Sequence, residues 1–259
     1  MQRKIAVLEA VKDTYSGAAS YLPPILLWSV PYFIISVPGV FLLKKQEVPT
    51  VTSLAASIGL GFVQILFWGP VLIWLHRAIL MKSPQQGNFF ASLLSRRNFK
   101  YVGVALLYSA LVGVMVGIPG GILGVVFTLA DPTTAWLVAT AVGGITAVAI
   151  FYISARVFLT FPLVAIDAAS AYRKSLEMSR GNVLAICAVL VLAVLPLSAV
   201  SMAAGVSLTA MIQGFLAGGA AIDLVKAGLV YAAYLVVGVV PGILLAASAS
   251  FCAKQFQAG

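Results

Sequence analysis

The chain has 259 residues, of which 62% are hydrophobic and only 9% charged, and its mean hydropathy is +1.08. That balance excludes an ordinary soluble domain, which carries about 25% charged residues to keep its surface in water. A formal net charge of +9 raises nucleic acid as a partner, but the basic residues sit at the edges of apolar runs, so their distribution follows a membrane instead.

A helix needs about 20 apolar residues to cross a hydrocarbon core roughly 30 Å thick. The uninterrupted apolar runs predict an all-α membrane protein with six transmembrane helices, at Tyr21 to Leu43, Leu54 to Leu80, Tyr101 to Leu129, Ala135 to Phe158, Val183 to Val206 and Ala227 to Phe251. Ahead of the first span, Ile5, Leu8, Val11 and Tyr15 recur at helical spacing against Arg3, Lys4, Lys12 and Asp13, the pattern of a helix lying in the interface. The following apolar run is of full spanning length and lacks a clear cleavage site, so it reads as an uncleaved first helix rather than a secretory signal.

The same amphipathic pattern appears twice more. Phe89, Phe90, Leu93 and Leu94 stand beside Arg96, Arg97 and Lys100, and Ala168, Tyr172 and Leu176 beside Arg173, Lys174, Glu177 and Arg180. The chain therefore parses as one domain, residues 1–259, of three repeat-like units over 2–80, 88–160 and 166–254, each an interfacial helix followed by two spans. Ser207 to Leu224, apolar but rich in Gly and Ala, stays open between an interfacial helix, a re-entrant piece and an extension of the fifth span.

Orientation follows from the excess of Lys and Arg in loops retained on the cytoplasmic side. One side collects Arg3, Lys4, Lys12, Arg77, Lys82, Arg96, Arg97, Lys100, Arg156, Arg173, Lys174, Arg180 and Lys254, while the other has only Lys44, Lys45 and Lys226. Both termini are expected in the cytoplasm.

Prolines interrupt or closely flank five spans, as Pro31 and Pro38, Pro70, Pro119, Pro196 and Pro241, and each leaves a backbone carbonyl in need of a partner. Kinked spans line cavities in some membrane proteins, and proline is also simply commoner in membrane helices. Gly113, Gly117 and Gly121 recur at spacing four around Pro119, and Gly238 and Gly242 repeat that spacing, so helix packing is the expected role. A re-entrant, ion-binding break at Pro119 is the sharper alternative.

No charged residue falls near the middle of a span, which argues against a proton-coupled pump. The sole histidine, His76, adjoins Arg77 at a helix end with no carboxylate or thiol nearby in sequence, and Cys187 and Cys252 are far apart in apolar helices. An enzyme, a metal site and a cofactor are therefore not expected. Asp167 and Glu177 are expected to pair with local basic residues, Glu177 with Arg173 at i, i+4. Arg77 and Arg156 close the second and fourth spans at equivalent points, and are candidates for one shared vestibule holding a lipid headgroup or phosphate. Arg96, Arg97, Arg173 and Lys174 are the further candidates for anionic headgroup contact.

The run Arg-Val-Phe-Leu-Thr-Phe-Pro-Leu-Val-Ala-Ile-Asp from Arg156 to Asp167, followed by Ala-Tyr-Arg-Lys-Ser-Leu-Glu-Met-Ser-Arg-Gly-Asn from Ala171 to Asn182, resembles the YciC-like bacterial membrane proteins. These are related to the membrane domain of some glycerophosphodiester phosphodiesterases. The resemblance implies a bacterial inner-membrane location and a loose association with phospholipid metabolism or envelope upkeep, and it supplies no catalytic residues. The expected function is a non-enzymatic multi-pass protein whose basic face engages membrane phospholipid or a membrane-protein partner. The alternative is a transporter or channel for a small or amphiphilic solute.

Overall fold

A computed structural model of the protein describes residues 4–35, 51–81, 88–217 and 224–257, and among these every regular element is a helix. In chain order they are α1 (Val7–Trp28), α2 (Val51–Met81), α3 (Phe89–Leu93), α4 (Arg96–Leu129), α5 (Pro132–Val157), α6 (Thr160–Ala165), α7 (Ala171–Ser179), α8 (Val183–Ala217) and α9 (Leu224–Gln257). A turn at Ser29 links α1 to a further helical stretch over residues 30–35.

Five segments among the described residues are long and apolar enough to cross a membrane: Ile58–Met81, Arg96–Leu129, Pro132–Ala165, Val183–Ser207 and Val237–Phe256. The far end of the expected first span, with Pro38, lies outside the described residues, as do Arg3, Lys44, Lys45 and Lys82. Ser207 to Ala217 continues α8 without a break.

The N-terminal segment departs from the expected interfacial helix. It runs without interruption into the apolar region as α1 and buries Ala10, Thr14, Gly17, Ala18 and Ile25. Leu8, expected on its apolar face, is 79% exposed. Small residues displace the larger ones because α1 packs closely on α9: a methyl group at Gly17 would come within 2.5 Å of the Phe251 ring. The start of α1 is tied down by Ile5 N–H donating to Asn182 Oδ1 (3.1 Å) and Ala6 N–H donating to Gln255 Oε1 (2.9 Å).

Apolar burial drives little association inside a bilayer, so close packing and interhelical hydrogen bonds must hold the bundle. In α9 every residue from Ala246 to Ala253 is buried, and all but Phe251 are Ala, Ser or Cys. This small-residue run lets α1, α2 and α8 approach one helix together. One core cluster joins Ile25, Trp74, Leu75, Ile243 and Phe251, and a second joins Ile5, Leu159, Ile186, Val189 and Cys252.

Two proline-freed carbonyls find partners across helices. Pro70 cannot donate to the Leu66 carbonyl four residues earlier, and Asn98 Nδ2 from α4 donates to it instead at 3.2 Å. Gly69 makes room for that amide, since a Cβ there would lie 2.1 Å from Asn98 Oδ1. Pro196 likewise releases the Leu192 carbonyl, which accepts from the Tyr15 hydroxyl of α1 at 3.3 Å.

The hairpin of α4 and α5 is built differently. Its foot, with Asn98, Tyr101, Val102 and Ala155, packs into the bundle, whereas beyond it Ala135 is the one buried residue of the two helices. A Cβ at Gly113, Gly117 or Gly121 would meet nothing within 4 Å. The packing role expected of these glycines within the bundle is not realised in this chain, because no other helix lies against this stretch of α4. Pro119 lies inside the continuous helix α4, with no re-entrant break. Gly238 also faces open space, while Gly242 lies against the Trp68 indole, at 3.4 Å for an added Cβ.

Candidate functional site

One end of the bundle gathers basic side chains around a single carboxylate. The short helix α6 ends in a hydrogen-bonded reversal in which Asp167 N–H donates to Val164 O (3.1 Å) and Ala168 N–H to Leu163 O (2.9 Å). Asp167 takes the left-handed backbone conformation this reversal requires, with φ of 55°. Its carboxylate is thereby presented to α4, where Arg97 Nε donates to Oδ2 at 2.8 Å and Nη2 makes a second contact to the same oxygen. The Arg97 hydrogen bonds hold the Asp167 carboxyl below its ordinary range, with Lys100 and Arg77 contributing attraction.

Arg77, near the end of α2, donates through Nη1 to the Ala165 carbonyl at 3.4 Å and interacts electrostatically with both Arg97 and Asp167. Three cations thus share one anion. Arg96, Arg97 and Lys100 also occupy the first turns of α4, where the positive end of the helix dipole disfavours cations. Helix stability therefore does not explain their placement.

The other sequence candidates lie apart from this cluster. Arg156 sits in the last turn of α5, where a cation complements the helix dipole, and its carbonyl accepts from the Ser175 hydroxyl of α7 at 2.8 Å. No side-chain contact joins Arg156 to Arg77 among the described residues, and the two arginines have different surroundings. Arg173 pairs with Glu177 at 3.0 Å on the exposed face of α7, at the expected i, i+4 spacing, and Lys174 is exposed beside them. Asp167 pairs not locally but with Arg97, 70 residues away.

His76 is fully buried where three helices meet, rather than lying free at a helix end. Its Nδ1 is 2.7 Å from Ser250 Oγ of α9 and its Nε2 3.1 Å from the Tyr101 hydroxyl of α4. Ser250 Oγ donates to its own helix at the Ala246 carbonyl (3.0 Å), so His76 Nδ1–H donates to Ser250 while Nε2 accepts from Tyr101. Both ring nitrogens are served, and the histidine clamps α2, α4 and α9 together.

Above this clamp, where the α4–α5 hairpin leaves the bundle, lies a cavity of about 300 Å³. Its wall is largely apolar, and the polar groups it contains include His76, Tyr101 and the hydroxyls of Tyr108 and Ser154, the last two 2.6 Å apart. Sequence reading missed it because its lining comes from α2, α4, α5, α6, α8 and α9 at once. Neither Arg77 nor Arg156 lines it. Among the described residues no group of three or more His, Cys, Asp or Glu side chains is placed to hold a metal.

No protein-family profile matches the chain, no curated protein matches it, and no solved structure matches it.

Proposed function

We propose that this chain is a non-enzymatic, multi-pass protein of a bacterial inner membrane whose basic end engages the headgroups of anionic phospholipid. The reading includes six spans with both termini cytoplasmic, arranged as three two-span units of which the second and third begin with an interfacial helix, and membership of the YciC-like group. The observation that carries it is the cluster of Arg77, Arg97 and Lys100 around the lone carboxylate of Asp167, next to the ends of spanning helices. A surplus of cations at that depth attracts anionic headgroups by about 1 kcal/mol per side chain.

The test uses the full chain in phosphatidylcholine nanodiscs containing increasing phosphatidylglycerol. The thermal midpoint is expected to rise with the anionic fraction, to rise less at high salt, and to lose that dependence in the Arg77→Gln, Arg97→Gln double variant. Retention of the full dependence in that variant contradicts the reading.

A transporter for an amphiphilic solute is the second reading, favoured by the cavity beside the proline-containing helices α2 and α9. Its test is solute flux in proteoliposomes, abolished by narrowing the cavity.

A further inference from the structure

We propose that the cavity at the foot of the α4–α5 hairpin is a binding site for an uncharged amphiphile taken from the bilayer, an apolar chain or ring bearing one hydroxyl or carbonyl group. The proposal goes beyond the headgroup reading and does not depend on it.

Size sets the first bound. At about 300 Å³ the cavity is roughly twice the engineered apolar cavity that accepts benzene, and it reaches the lower end of the range for small-molecule sites. It holds a ring system or a length of hydrocarbon chain, and not a whole phospholipid.

The lining sets the chemistry. Ile65, Leu72, Phe158, Phe161, Leu190 and Leu245 form an apolar wall, and no Asp, Glu, Lys or Arg contributes to it. A charged head inside would lose its hydration with no counter-ion, at a cost of several kcal/mol. An uncharged head finds a partner. Tyr108 and Ser154 share one hydrogen bond, which uses one of their two hydroxyl protons, and neither donates to any other group among the described residues. Whichever of the two donates, the other keeps a proton for a ligand oxygen. The Trp68 indole N–H, in the same wall, likewise donates to no group among the described residues. His76 is already bonded through both nitrogens, so it closes the floor instead of recognising the ligand.

The fold supplies the route. The foot of the hairpin packs on α2, while beyond it most of the spanning length of α4 and α5 is exposed or half-buried. Leu107 and Leu111, just past the cavity, are 72% and 39% exposed. The space between hairpin and bundle therefore faces hydrocarbon, and a membrane-dissolved molecule reaches Tyr108 and Ser154 without crossing water.

The probe is a long-chain alcohol carrying a diazirine, photolysed with the full chain in nanodiscs and mapped by peptide mass spectrometry, with the matching carboxylic acid as comparison. The alcohol is expected to label peptides containing Tyr108, Phe161 and Leu245 well above those containing Ile118 and Val125, and the acid to label them far less. Leu245→Trp, which fills the cavity from a position 43% exposed, is expected to suppress this labelling. Removing both hydroxyls, in the Tyr108→Phe, Ser154→Ala double variant that keeps the ring, is expected to weaken apparent affinity by about tenfold, the effect of one well-placed hydrogen bond. Equal labelling along the hairpin, equal labelling by the acid, or labelling unchanged in both variants overturns the proposal. Any of these leaves the headgroup reading standing, because Arg77 and Arg97 lie outside the cavity.

Discussion

Gly69 and Gly117 both sit in spanning helices near a proline, yet their surroundings are opposite. At Gly69 a single added carbon would strike the Asn98 amide that serves the carbonyl freed by Pro70; at Gly117 it would meet nothing. In the bundle of α1, α2, α8 and α9 the closest contacts fall on small residues, with Gly17 under Phe251 and the Ala/Ser/Cys run of α9 at the centre. The α4–α5 hairpin is about as rich in small residues for its length, yet its glycines beyond the foot meet no neighbour. A small-residue spacing permits close approach; whether a partner helix is there depends on the rest of the fold.

The sharpest way to break that contrast is to substitute both glycines. Gly69→Ala is expected to cost about 3 kcal/mol, combining overpacking with loss of a buried hydrogen bond, whereas Gly117→Ala should stay within about 0.5 kcal/mol of the parent. Unfolding in mixed micelles measures both, and equal effects would dissolve the distinction. A double-mutant cycle sharpens it further. Asn98→Ala should cost about 2 kcal/mol in the parent and about 1 kcal/mol less in a Pro70→Ala background, where residue 70 again donates to Leu66.

Tyr15→Phe tests the same logic at α8 and should cost about 1 kcal/mol, the value of one hydrogen bond to the carbonyl that Pro196 leaves free. Pro119 is the control from the hairpin: no group from another helix among the described residues bonds the Met115 carbonyl it frees.

The prolines were legible in the sequence, as was the need of each freed carbonyl for a partner, and so were the apolar runs and the Arg173–Glu177 pair, all of which depend on neighbours within a few residues. The partners of those carbonyls were not. Asn98 lies 32 residues from Leu66, and Tyr15 lies 177 from Leu192. Asp167 was expected to pair locally because periodicity says nothing about which helices meet, and the left-handed turn that aims its side chain at Arg97 leaves no glycine as a marker. The amphipathic start of α1 misled for a related reason. Large apolar residues mark a face that avoids water, but in a membrane the tightest contact goes to small ones, here Ala10, Thr14 and Gly17. The run from Ala246 to Ala253 was the available signal for the bundle's centre.

A smaller effect than that of these hydrogen bonds is expected of the partly exposed Arg97–Asp167 pair. Asp167 is held below its ordinary value, so its contribution is complete above about pH 4 and is lost as pH falls through the lowered value. Because both side chains are partly exposed, that contribution should be less than about 1 kcal/mol, seen as a smaller acid-side loss of stability in Asp167→Asn than in the parent.

The most direct test of the central claim is native mass spectrometry of the full chain released gently from its own membrane. The account predicts an anionic phospholipid bound in stoichiometric amount and lost in the Arg77→Gln, Arg97→Gln variant. A chain that emerges without lipid, or a variant that keeps the same lipid as the parent, contradicts it.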